Sequence, residues 1–508
     1  MRQSLFFIAL ILTLSLGHIP TAESGNDTLV VGMQHHFDSL CQTRSTSRQT
    51  LLLSHNWADT LVYRNPASGK LVPCLAESYR VGENGALEFT LRKGVRFHNG
   101  EPLTADAVRF SMNVFRARKA CCRNLFRAFG DVSIVDERTV RIHSTLHPSV
   151  ALEILANVFF IYPPGYYRKV GGEAFGKHPV GTGPYRFVSW EEEGCLRFEA
   201  HSDYFGAPKK KPGIPHLVIR IIPEQIIRIE RLLNGELDLI RSGSIAPEQI
   251  QYLERHPDIT VRRANILRNF FLLMDARGRS GTDFFKQRKV RRAVNLAINR
   301  QHLVTDVLCG YARVNHGVAT PQHFGYEPDI RTYAYDPERA QTLLAEAGYP
   351  GGFKVDLYVH RDESVAEAVA QNLRTVGIRA EIRWMEGRVD QLIEKFRNGE
   401  TPFAFFTWGS YSIFDASAIL NPWFLQDEPL CHGTTPEIDL LLRKSDRCVS
   451  EEERKRLLSL AQQIIAEEAF WAPLYYGNSV AAMRAALDFQ PSQDEVDRYF
   501  LATWNESR

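Results

Sequence analysis

Residues 335–384 read YDPERAQTLLAEAGYPGGFKVDLYVHRDESVAEAVAQNLRTVGIRAEIRW. Asp336 is placed to cap a helix, Pro337 takes its first position, where a missing N–H is no loss, and Gly348 ends it. The run FKVDLYV that follows has the composition of a strand. Val365, Val369, Leu373 and Val376 then recur at helical spacing up to Gly377, and Ile378, Ala380, Ile382 and Trp384 alternate as the next strand. Helix, strand, helix, strand in this order predicts a parallel sheet covered by helices, an α/β fold.

The same grammar extends outward. KVRRAVNLAINRQHLVTDVL (289–308) is expected to be helical, with Val290, Val294 and Ala297 on one face. In HLVIRIIPEQIIRIERLLNGELDLI (216–240) a strand at 217–222 leads to a helix, a stop at Gly235 and a short apolar run at 237–240. Strands dominate earlier. LEFTLRKGVRF (87–97) alternates around Phe89, Leu91, Val95 and Phe97, and DVSIVDERTVRIH (131–143) reads as two strands joined at Asp136-Glu137. In HPVGTGPYRFVSW (178–190) a glycine-rich turn feeds a strand carrying Tyr185, Phe187 and Trp190. The stretch VRFHNGEPLTADAVRFSMN (95–113) combines a tight turn at Asn99-Gly100, a helix cap at Thr104 and an apolar face that starts Val108, Met112, Phe115, which is the pattern of a packing module.

The chain opens MRQSLFFIALILTLSLGHIPTA, with one basic residue and an apolar run from Leu5 to Leu16, the form of a secretory signal peptide removed near residue 22. Its loss takes away Arg2 and no acid, so 61 basic residues less one face 59 acidic ones. A nearly neutral exported chain does not advertise nucleic acid or an anionic membrane as its partner. At 508 residues and 44% hydrophobic composition it can bury a large core. All eight cysteines follow the signal segment, none at C-x-x-C spacing, and in an oxidising compartment at least one disulfide is expected, though not between adjacent Cys121 and Cys122.

Catalytic signatures are missing. GGEAFGKH (171–178) has a phosphate-loop skeleton, but His178 replaces the magnesium-binding Ser or Thr and Pro179 follows where a helix should start. There is no H-E-x-x-H and no G-x-S-x-G, and GTGPY precedes a strand, not a helix N-terminus that could meet a phosphate. His35 and His36, neighbours on an extended segment, point oppositely, so a ligand contact is favoured over a metal site. The chain is expected to have no catalytic residues, no metal and no cofactor.

Six segments in sequence carry a resemblance: AESYRVGENGALEFTLRKGVRFHNGEPLTADAVRFSMN (76–113), GTGPYRFVSW (181–190), DYFGAPKKKPGIPHLVIRIIP (203–223), VRRAVNLAINRQHLVTDVLCGYA (290–312), YDPERAQTLLAEAGYPGGFKV (335–355) and NLRTVGIRAEI (372–382). Together they resemble the extracellular solute-binding proteins of the peptide and nickel type, family 5, that serve ABC importers. The resemblance implies a two-lobed periplasmic-binding-protein clamp with an additional inserted α/β domain in the first lobe. Residues 23–62, 178–262 and 474–508 would build the first lobe, 63–177 the insertion and 263–473 the second lobe, with strands crossing near 262 and 474. It also implies a monomer in the periplasm that captures a peptide or peptide-like solute by hinge closure and passes it to an inner-membrane permease and ATPase. An opine or oligosaccharide conjugate, a nickel chelate, or a role as ligand sensor for a membrane receptor remain as alternatives, and a secreted hydrolase is the rival class.

Dipeptide-binding members of that family have an Asp three residues after a Trp, which holds the ligand's amine. In FFTWGSYSIFDASAIL (405–420) Trp408 and Gly409 are in place, but Tyr411 stands at the Asp position and Asp415 is the acid left to replace it. The family's carboxylate-binding Arg would fall near Ser364, and Arg361 is the nearest substitute. Phe270, Trp408 and Tyr411 could cover a peptide side chain or a sugar. The expected site is therefore His35, His36, Phe270, Arg361, Trp408, Gly409, Tyr411 and Asp415. Cys431 and Cys448, on either side of a short helix-like stretch of the second lobe, are the expected disulfide.

Overall fold

The computed structural model describes residues 26–45, 47–82, 85–191, 194–241, 245–385 and 387–505. The expected signal peptide, 1–22, lies outside them, and among the described residues no helix is long and apolar enough to cross a membrane. Asp336 accepts from the Arg339 amide at 2.9 Å and caps the helix Pro337–Glu346, which ends before Gly348 at φ +91°. The strand Phe353–Val359, the helix Glu363–Thr375 and the strand Ile378–Trp384 follow. The two strands are parallel, Phe353 opposite Ile378 and Val359 opposite Trp384, and Phe403–Trp408 runs parallel on the other flank of Phe353–Val359.

Two long antiparallel strands, Ile259–Met274 and Trp471–Arg484, join the lobes. Ile259–Asn265 pair with Asn478–Arg484 beside the first lobe's strand Leu239–Arg241, whereas Asn269–Leu273 pair with residues from Trp471 to Tyr476 beside Phe403–Trp408. Between these halves the register slips, so that Ile266, Leu267 and Arg268 have no partners in the ladder. A slip of this kind bends and twists a strand locally, and here it falls where one lobe gives way to the other. A single sheet thus runs through both lobes, and in the first lobe Thr28–Met33 lies parallel to both His216–Ile221 and Leu239–Arg241.

A separate four-stranded antiparallel sheet holds Ala76–Val81, Leu87–Leu91, Thr139–Ser144 and Phe129–Ile134. The helix Ala105–Arg116 packs on it with Val108, Met112 and Phe115 fully buried, and Thr104 accepts from the Ala107 amide at 3.2 Å. The 95–113 stretch is thus a packing module, as its spacing predicts. His98 ties it to the glycine-rich turn, its amide donating to Gly181 O at 2.8 Å and its Nε2 lying 2.9 Å from Gly183 O. That turn lies flat on the end of the helix Arg48–Trp57, and a Cβ on Gly183 would stand 2.4 Å from the carbonyl carbon of Trp57. The same helix end receives Lys209 of the APKKKP segment, which is buried, pairs with Asp59 at 2.7 Å and donates to His55 O and Ala58 O. These blocks hold the frame.

Two expectations are corrected. The stretch 289–308 is not one helix, for Arg288–Ala297 stops at extended Ile298 and a new turn starts under the Asn299 cap. Asn295 donates to Trp471 O at 3.0 Å and Arg300 to Pro473 O at 2.6 Å. Residues five apart point about 140° away from each other on a continuous helix, so the break lets both reach the same strand. Cys431 and Cys448 are not bonded, and no two of the eight cysteines form a disulfide. The helix Pro436–Arg447 between them is about 18 Å long, whereas a disulfide needs Cα atoms within about 7 Å.

Candidate functional site

In sheets of this kind ligands meet the chain at the carboxyl ends of parallel strands. His35 follows Thr28–Met33, Arg361 follows Phe353–Val359, and Gly409 to Tyr411 follow Phe403–Trp408. Thr407, Phe270 and Tyr475 stand opposite one another in the ladders and so share a face. The rings of Phe270 and Tyr475 stack with centroids 4.5 Å apart, and the Arg361 guanidinium lies 5.5 Å above Phe270. Arg361 Nε donates to Asp362 at 2.9 Å, and among the described residues its two Nη atoms have no hydrogen-bond partner.

Arg268 leaves the slipped segment and packs against Gly409, where a Cβ would stand 3.0 Å from its Nη2. It meets Glu495 at 3.2 Å, and Arg48 meets the same carboxylate at 2.8 Å. Burial alone would raise the pKa of Glu495, but the charges of Arg268, Arg48 and Arg241 outweigh it and hold the acid at about 2. His35 belongs to this group, its pKa lowered by loss of solvent and by the charges of Arg228 and Arg361. His36 points elsewhere, its ring 3.6 Å from where a Gly194 Cβ would lie. Trp408 is buried, donates to Ala418 O at 3.3 Å and takes Tyr411 edge-on at 5.2 Å.

Asp415 is placed differently from expectation. Arg454 grips it with two bonds of 2.6 and 2.8 Å, Ser417 adds its amide and hydroxyl, and both ionic partners are buried. Its carboxylate is thereby engaged inside the second lobe. It borders an inter-lobe cavity of about 420 Å³ that Arg64, Glu153, Phe324, Phe414 and Gln493 also line.

Backbone strain gathers at the same place. Among the described residues seven non-glycine residues have positive φ, and five of them, Asp362, Ser410, Tyr411, Ser412 and Glu495, belong to the loops around Arg361 and Arg268. Left-handed backbone costs an ordinary residue about 1–2 kcal/mol, so three in succession persist only where the surroundings fix them. Ser412 is held across the lobes: its hydroxyl donates to Asp494 O at 2.6 Å and accepts from Arg48 at 3.0 Å, and its carbonyl accepts from Asn157 at 2.8 Å. Arg48, Arg268, Tyr475 and Glu495 were not evident from sequence. Arg268 left one trace, as the lone charge in the apolar run ILRNFFLLM, and Glu495 left none.

Known proteins share this fold. The profile of bacterial extracellular solute-binding proteins, family 5 Middle, matches residues 70–429. The glutathione-binding protein GsiB of Escherichia coli O1:K1 / APEC is 31% identical over 435 residues, 81% of this chain and 82% of that protein. Among solved structures, the ABC transporter-associated periplasmic binding protein DppA from Helicobacter pylori, in complex with peptide STSA, superposes with a TM-score of 0.82 at 25% identity, covering 94% of this chain and 98% of that one. NikZ from Campylobacter jejuni, in complex with Ni(L-His), shares the fold with a TM-score of 0.79 at 20% identity, covering 94% and 100%. The two-lobed frame, the paired crossing strands and these matches place the chain in one family: it belongs to the bacterial extracellular solute-binding proteins, family 5.

Proposed function

We propose that this chain is the substrate-binding component of an ABC importer, exported to the periplasm with loss of residues 1–22, and that as a monomer it closes around a peptide or peptide-like solute without chemical conversion. One observation carries the peptide reading: the Arg361 fork, open on both Nη atoms above the stacked Phe270–Tyr475 pair, is a seat for a carboxylate beside an apolar platform. His35, Trp408, Gly409 and Tyr411 would line the same seat, and His36, turned toward Gly194, would not. Backbone groups on both lobes would pair with the solute's main chain, which tolerates varied side chains. The name of the relative GsiB puts glutathione first among solutes to try, and the peptide STSA held by the Helicobacter pylori protein second. In this reading residues 63–177 buttress the first lobe, and the slipped segment 266–268 is the hinge.

The test is a thermal-shift and calorimetry screen of glutathione, Ser-Thr-Ser-Ala, an opine, an oligosaccharide and a nickel–histidine chelate. A rise in Tm with at least one of the two peptides, lost in Arg361→Gln, is expected. No response to either peptide alongside a response to a sugar conjugate or the chelate would overturn the reading.

A further inference from the structure

We propose that the solute carries two carboxylates, one on the Arg361 fork and one on Arg268, so that a peptide of net charge −1 is preferred to a zwitterion. This rests on the reading above that the cleft takes a peptide-like solute. The first argument is charge. Arg48, Arg268 and Arg361 face two carboxylates, Glu495 and Asp362. Their neighbours are balanced: Arg241 is paired with Asp497 at 2.5 Å, Arg498 with Asp494 at 2.6 Å, and Arg228 feels Glu224. One positive charge is left over in a cleft that closure dries, where an unmatched charge is costly. A zwitterion leaves that surplus standing, whereas two carboxylates and one ammonium cancel it.

The second argument is the hydrogen-bond inventory. Among the described residues four unpartnered atoms here can only donate, both Nη atoms of Arg361, Nη1 of Arg268 and Nε of Arg48, while the Tyr475 hydroxyl, Thr407 Oγ1 and His360 Nδ1 can donate or accept. Burial beside Arg361 and Arg268 also keeps His360 neutral, so it adds no charge of its own. A cluster of unfilled donors around surplus positive charge is completed by acceptors that are anionic. Gly409 is a positioning residue in this scheme, because a side chain there would displace the Arg268 guanidinium.

Calorimetry with matched solutes that differ by one carboxylate tests this: glutathione against its glycyl monoethyl ester, and Gly-Glu-Gly against Gly-Gln-Gly. In at least one pair the diacid should bind about tenfold more tightly, as expected for one charge-assisted contact. Arg268→Gln should reduce that ratio to about one by weakening the diacid more than the monoacid, and the conservative Arg268→Lys should restore part of it. Equal affinities within both pairs, or a ratio that survives Arg268→Gln, would overturn the proposal and leave peptide binding standing. Failure of all four solutes and of Ser-Thr-Ser-Ala would remove the peptide reading itself. Should Arg268→Gln not fold, Gly409→Ala, which displaces the guanidinium but keeps its charge, must lower the ratio, and an unchanged ratio refutes the proposal.

Discussion

Lys209 with Asp59 in the first lobe, and Arg268 and Arg361 with Glu495 in the cleft, are built from the same kinds of residue but are finished differently. Lys209 spends its donors on Asp59, His55 O and Ala58 O, and Asp59 also accepts from Thr182 and Tyr204. Both residues are fully buried. In the cleft, Arg361 keeps two donor atoms open and Tyr475 a hydroxyl. The first cluster, with its bonds filled, is suited to the frame, and the second, with donors to spare, to holding a solute.

The sharpest way to break this contrast is Lys209→Met. Removing one member of a buried, fully bonded pair should cost about 3–5 kcal/mol, because Asp59 is left charged and unmatched. Urea unfolding should show the loss, and Lys209→Met with Asp59→Asn should recover a good part of it. A single variant within about 1 kcal/mol of the parent would show that the pair is not structural.

Next in size among the substitutions is Gly183→Ala. The new methyl would stand 2.4 Å from the Trp57 carbonyl carbon and 2.6 Å from the Ala58 nitrogen, both backbone atoms that cannot swing aside. Overpacking of this sort costs about 1–3 kcal/mol. The turn should also shift away from His98, so the thermal midpoint drops and amide exchange at His98, whose N–H is bonded to Gly181 O, quickens.

These two variants fall on blocks whose structure was legible in the sequence, and the reason is physical. Asp336, Pro337 and Gly348 act within a few residues of themselves, and the apolar spacing of 353–384 already fixes which face is buried. The cleft is legible only in part. Arg361 stands three residues before Ser364, near which the resemblance places the carboxylate-binding Arg. Arg268 and Glu495, 227 residues apart, meet through the register of the crossing strands, which no local pattern announces. The partner of Asp415 is hidden for the same reason, since Arg454, 39 residues further on, binds its carboxylate.

A third effect is pH dependence. Burial holds His98 at about 3, His323 at about 4 and His360 at about 3, each below the ordinary 6.5. Between those values the unfolded chain binds more protons than the folded one, so stability is full above about pH 7 and is lost as pH falls through 6.5. Asp497 acts in the opposite sense, because burial raises its carboxyl to about 6 and the folded state then takes up a proton first. Three histidines against one acid predict a net loss of about 4 kcal/mol from pH 7 to pH 5. Below about pH 4.5 Glu495, held at about 2, adds to the loss. Urea midpoints measured from pH 7.5 to 4.5 decide this, and a flat profile would falsify the assignment of neutral buried imidazoles.

The smallest effect is the most telling, because it sets one glycine against another. A methyl on Gly409 would meet Arg268 at 3.0 Å from Nη2 and 3.2 Å from Cζ, a crowding similar in kind to that at Gly183. Here, however, the obstructing atoms are the far end of a flexible side chain, which can turn away. Gly409→Ala should therefore cost under about 1 kcal/mol of stability, well below Gly183→Ala. Pushed aside by a few tenths of an ångström, the guanidinium loosens its 3.2 Å contact with Glu495, which weakens one of the three cations holding that acid near pKa 2. Its pKa should rise, detectable by carboxyl-resolved NMR titration, and affinity for a diacid solute should fall a few-fold while that for a zwitterion holds. A stability loss equal to that of Gly183→Ala, with no change at Glu495, would mean that Gly409 is part of the frame and that Arg268 is not positioned for a ligand.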